Sequence, residues 1–93
     1  MWTEARHLVV ATELEAQELL REWQDGEEFA RLARTRSLCP TAQQDGHLGL
    51  FAKGHMPPEL DEIFQRGEFG CLYGPVQTEY GYHLVEVLSR RPS

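Results

Sequence analysis

At 93 residues, 41% hydrophobic and 26% charged, the chain has the make-up of one soluble globular domain with a single modest core. Nine basic residues against 15 acidic ones leave a net charge of −6, which disfavours nucleic acid and anionic membrane surfaces as partners, since both are held through Lys and Arg. No run of about 18 apolar residues is present, so no transmembrane helix is expected. The opening MWTEARHLVV lacks the basic start, long apolar stretch and small-residue cleavage site of an export signal, which points to the cytosol. Cys39 and Cys71 show no CxxC spacing and read as free thiols in a reducing compartment.

Residues 6–11 (RHLVVA) predict a strand, with Leu8, Val9 and Val10 apolar on both faces. Thr12 and Glu15 form a capping-box pattern, and Ala16, Leu19, Leu20 and Trp23 follow as one helical stripe. Asp25-Gly26 ends that helix. Asp25 with Glu28 repeats the capping pattern, opening a helix over EEFARLARTR with Phe29, Leu32 and Ala33 inward. From Ser37 to Gly54 the chain turns loop-like: Cys39-Pro40 leaves helical geometry, and Gly46, Gly49 and Gly54 punctuate one short apolar piece, LGLF. Pro57-Pro58 starts a third helix with Leu60, Ile63 and Phe64 on its apolar face. Residues 66–73 are turn-rich, and the pattern does not place them. Val76 and residues 82–88 read as strands, and the tail Arg90-Arg91-Pro92-Ser93 as frayed. The order is β-α-α-loop-β-α-β-β, a single α+β domain over residues 1–93 built round a small sheet.

A histidine set in an apolar strand asks for an explanation, and there are two. Alternation puts His83 with Val85 and Val87 on one face, and His7 with Val9 and Ala11 on one face. The two rings can meet only if the end strands lie side by side. Each histidine alone reads as a hydrogen-bonded core residue, Cys39 as a small buried hydrophobe and Thr78 as a turn residue. Together they admit three chemistries. A zinc site from His7, Cys39, His47 and His83 lacks close paired spacings. A Cys–His nucleophile needs a thiolate-promoting environment and an oxyanion hole, and nothing local announces either. The third is non-covalent: a polar cluster flooring a groove in which a bond is held and twisted. Leu48, Phe51, Met56 and Leu60 crowd the neighbouring loop and helix start, as core or as groove lining. Met56, between Gly54 and Pro57-Pro58, sits awkwardly for core.

The segments ARHLVV (5–10), EEFARLARTRSLCP (27–40), DGHLGLFAKGHMPPELD (45–61) and GPVQTEYGYHLVEV (74–87) cover nearly the whole chain. Their pattern, GxLGxFxxGxM from Gly46 to Met56 and TxxGYH at 78–83, resembles the parvulins of the bacterial PpiC type, a family of small peptidyl-prolyl cis/trans isomerases. The resemblance implies a four-stranded antiparallel sheet surrounded by helices, with the first and last strands at its centre. It implies no metal and no cofactor, and a groove for proline-containing peptides or unfolded protein segments. His7 and His83 match the family's paired histidines, Cys39 the cysteine or aspartate facing the substrate, and Thr78 the hydroxyl linked to them. Leu48, Met56 and Leu60 match the pocket for the proline ring, with Phe51 and Tyr80 near it. Leu60 stands where the family usually has phenylalanine, and His55 replaces a common glutamine. The connection TELE after the first strand lacks the longer basic loop of the phosphate-selective parvulins. The expected activity is therefore rotation of X-Pro bonds with an apolar residue before proline, without a phosphate requirement, by a monomer. A peptide-binding or chaperone module of the same fold with little catalysis is the alternative.

Overall fold

The first strand, β1 (Trp2–Val10), starts four residues before the expected boundary, because Trp2–Ala5 find partners on both sides. A computed structural model, describing residues 1–92, sets β1 against the last strand, β4 (Gly81–Arg91), at the centre of an antiparallel sheet. With β2 (His47–Ala52) and β3 (Leu72–Thr78) outside them, the four-stranded order is β2-β1-β4-β3. The expected α+β architecture and the central pairing of the end strands are both present.

Side chains alternate across β1 and β4 and so build two cores. One face carries Leu8, Val10 and Leu84, covered by helices α1 (Glu13–Gln24) and α2 (Phe29–Arg36) through Ala16, Leu19, Phe29, Leu32 and Ala33. Thr12 caps α1 as expected, its Oγ1 accepting the Glu15 N–H at 3.2 Å. The second capping box does not form. Asp25 closes α1 by donating its N–H to Arg21, Gly26 turns with φ +107°, and Glu28 caps α2 without a side-chain bond. These residues are spent on the turn, so α2 starts only at Phe29.

The other face carries Ala5, Val85 and Val87 beneath α3 (Pro58–Arg66), whose Leu60 and Phe64 complete the second core with Phe51. A bulge in β4 adjusts this face: the register steps from Glu4↔Ser89 to Ala5↔Val87, leaving Leu88 as the extra residue. Arg90 is thereby turned towards α3, and its guanidinium donates to the carbonyls of Phe64 (2.9 Å), Ile63 (3.4 Å) and Gly67 (2.8 Å). The Phe64 and Gly67 carbonyls belong to the last turn, which a helix leaves without intrahelical partners, while Ile63 O also accepts the Gly67 N–H. The tail is therefore not frayed at Arg90 and Arg91, which pair with Thr3 and Trp2; Ser93 lies outside the described residues. Residues 67–71, unplaced by the sequence pattern, form the turn from α3 into β3, where the Glu68 N–H donates to the Tyr73 hydroxyl at 2.8 Å.

Candidate functional site

Beyond Arg6, β2 has ended and the loop 37–46 takes over as the partner of β1. The Leu38 N–H donates to Val9 O at 2.8 Å, the His7 N–H to Gly46 O at 2.9 Å, and the Val9 N–H to Ser37 Oγ at 3.0 Å. Gly46 (φ +81°) lies against the His7 carbonyl, and Gly74 (φ +132°) against the His83 carbonyl; a Cβ at either position would press into that oxygen. Both histidine strands are thus gripped by backbone that only glycine can bring so close.

Val9 pairs with His83 and His7 with Val85, so the two histidines are diagonal neighbours on the α3 face. Their rings stack at 5.3 Å between centroids, with Nδ1 facing Nδ1 at 3.2 Å. One Nδ1 must carry the shared proton and the other accept it. Thr78 decides the direction. Its Oγ1 accepts the Tyr80 N–H at 3.1 Å and lies 2.6 Å from His83 Nε2. Thr78 is 7% exposed, so a hydroxyl proton not donated to His83 would be buried without a partner. Hence Thr78 donates to His83 Nε2, His83 Nδ1–H donates to His7 Nδ1, and His7 Nε2–H donates to Thr41 Oγ1 at 3.2 Å. Bonds aligned head to tail in this way polarise one another.

Both rings are neutral in this arrangement. Burial, and then the neighbouring His83, push the His7 pKa down to about 4. Burial also lowers that of His83, against an opposing pull from the Glu59 carboxylate. A floor of uncharged imidazoles and hydroxyls follows, held rigidly and offering no strong acid at neutral pH.

Above the floor lies a groove of about 920 Å³, formed where three segments converge: the loop at 38–40, the entry to α3 at 55–60 and the β3–β4 turn at 78–80. His7, Cys39, Thr78 and His83 all line it, as do Leu48, Met56, Leu60 and Tyr80. Phe51 does not. It is 4% exposed and packs edge-on against Phe64, 4.9 Å between centroids, supporting the pocket from beneath. Phe64 itself reaches the groove, and so does Leu38, which is 66% exposed. Sequence reasoning missed Thr41, since one threonine after a Cys-Pro step carries no periodic signal; Pro40–Gln44 is a 3-10 turn that brings it over His7.

The covalent and metal chemistries lack their contacts. Among the described residues the Cys39 thiol has no hydrogen bond to a histidine; the imidazole nitrogens are taken by each other and by Thr41 and Thr78. His47 is bonded to Glu4 at 2.9 Å and does not line the groove, so the four-ligand set is not assembled.

Comparison with known proteins gives the family and agrees with the fold. The model of the family described as rotamase, PPIC-type PPIASE domain, matches residues 6–89. The foldase protein PrsA of Halalkalibacterium halodurans is 40% identical over 91 residues, 97% of this chain and 27% of that protein. Among solved structures, the peptidylprolyl isomerase PrsA from Bacillus anthracis superposes with a TM-score of 0.94 at 29% identity, covering 98% of this chain and 42% of that one. NmPin, the parvulin of Nitrosopumilus maritimus, gives 0.83 at 28% identity, covering 95% of this chain and 96% of its own. The chain thus spans about a quarter (27%) of the length of the curated relative quoted.

Proposed function

Because the chain belongs to the PpiC-type parvulin family of peptidyl-prolyl isomerase domains, we propose that it accelerates cis/trans rotation of X-Pro bonds in unfolded or flexible protein segments. The observation that carries this reading is an apolar groove floored by a rigid, neutral His7–His83 couple. The uncatalysed barrier is about 18–20 kcal/mol, most of it lost amide resonance. As the bond twists, the nitrogen lone pair localises and the carbonyl gives up negative charge. Water solvates the planar, more dipolar amide better than the twisted one. Leu48, Met56, Leu60 and Phe64 would hold the proline ring away from water, and so favour the twisted state. The fixed imidazoles and Thr78 would meet the changed carbonyl and nitrogen without reorganising. Cys39 fits this scheme as a polar lining group, with no bond to carbon formed.

Two exposed apolar side chains at the groove, Leu38 and Tyr80, each 66% exposed, support an apolar residue before the proline. No lysine or arginine lines the groove among the described residues, which supports the absence of a phosphate requirement. The test is exchange NMR on a Leu-Pro peptide at catalytic protein concentration. Stronger cis/trans exchange cross-peaks are expected. Shifted peptide signals at an unchanged exchange rate would replace this reading with that of a binding or chaperone module, and Leu60 would then be the first position to substitute.

A further inference from the structure

We propose that the groove selects proline segments carrying a lysine or arginine within two residues of the proline, bound by the carboxylates of Glu59 and Glu79. This rests on the groove being the peptide site, and adds the chemical class of the peptide. Glu59 and Glu79 are the carboxylates lining the groove, with no lysine or arginine beside them among the described residues. They come from two of the three segments that enclose it, the first turn of α3 and the β3–β4 turn. Both are exposed, and among the described residues neither is engaged in an ion pair, whereas Glu4, Glu15, Glu22, Glu27 and Glu86 all are. Glu59 is close enough for its charge to act on His83, so its field reaches the floor. The Glu79 carboxylate acts on Tyr80 closely enough to hold its phenol above the ordinary pKa, beside a ring that is 66% exposed. An aromatic face next to a carboxylate suits a cation on an aliphatic stem, which can lie on the ring while its head meets the oxygens. Apolar walls focus such a field within a cleft, and the net charge of −6 draws cationic segments from further away.

The test is NMR titration of the isotope-labelled protein with three peptides. All share Leu-Pro and differ only in having Lys, Gln or Glu both before the Leu and after the Pro. The Lys peptide is expected to bind roughly three- to tenfold more tightly than the Gln peptide, and the Glu peptide correspondingly more weakly, with the spread shrinking at about 0.5 M salt. Glu59→Gln and Glu79→Gln should each reduce the Lys-to-Gln affinity ratio, and the double variant should bring it near one. Equal affinities for the three peptides, or tighter binding of the Glu peptide, would overturn the inference; if exchange is still accelerated, the isomerase reading stands. Absence of shifts at His7, Thr78 and His83 with every peptide would overturn both.

Discussion

The two histidines illustrate how a polar group survives in a core. Each ring nitrogen of the pair is within 3.2 Å of a partner, so burial leaves none of them orphaned. What burial does forbid is charge. In the unfolded chain an imidazole takes up a proton as pH falls through about 6.5, whereas folded His7 resists until about 4. Between these values the unfolded state binds more protons, so stability is complete above the unfolded pKa and is lost as pH falls. The direction at His83 is the same. The full His7 difference corresponds to roughly 3 kcal/mol. Urea unfolding measured from pH 7 to pH 4 should show this decline, and His7→Asn, which cannot titrate, should flatten it. An identical slope in the variant would place the acid sensitivity elsewhere. Cys39 is governed by a different consideration. Its thiol lines the groove and among the described residues has no histidine partner, so the proposed chemistry uses it as a small polar group. Cys39→Asp should keep exchange rates within roughly tenfold of the parent, because nothing in the proposed chemistry requires a nucleophile. A well-folded variant with no exchange activity would show that sulfur chemistry is involved after all.

At the scale of elements, α3 is both a wall of the groove and a piece of core, and Arg90 ties it to the sheet. The bulge at Leu88 makes this possible: without the extra residue Arg90 would point to the opposite face. Its three hydrogen bonds reach carbonyls at the end of α3, where the helix leaves those of Phe64 and Gly67 free and where the macrodipole favours a cation. Arg90→Ala should therefore cost about 2 kcal/mol in urea unfolding, since charged hydrogen bonds contribute more than neutral ones. It should also weaken peptide binding, because Leu60 and Phe64 sit on the loosened helix. Arg90→Lys should restore only part of the stability, as one ammonium on a flexible stem cannot reproduce the planar fork spanning Ile63, Phe64 and Gly67. A variant as stable as the parent would mean that packing of Leu60 and Phe64 alone seats α3.

At the scale of the whole molecule, what could be read from the sequence follows from which signals are local. Helical stripes such as Ala16–Leu19–Trp23 and caps such as Thr12 depend on neighbours a few residues away, and α1 and α3 stand where those patterns put them. Strand ends depend on distant partners: Trp2–Ala5 are strand because Ser89–Arg91 and 49–52 lie beside them, and no local period announces that. Thr41 was invisible for the same reason, its meaning arising only when the loop folds over His7. His7 and His83 were legible because a polar ring within an apolar strand is anomalous wherever the strand lies. The chain's two ends thus meet at the centre of the sheet, and β4 is the element on which both cores depend. It supplies Leu84 to one and Val85 and Val87 to the other, and it pairs with both β1 and β3. Removing it would leave β1–β2 as a two-stranded ribbon and β3 without a partner, and a lone pair of strands is marginal at best in water. A fragment of residues 1–78 should therefore give the far-ultraviolet circular dichroism of an unfolded chain and no cooperative urea transition. A native-like spectrum with a cooperative transition would mean that β1, β2 and the helices form a self-sufficient core. In that case the central pairing would serve to bring His83 to His7 and contribute little to folding.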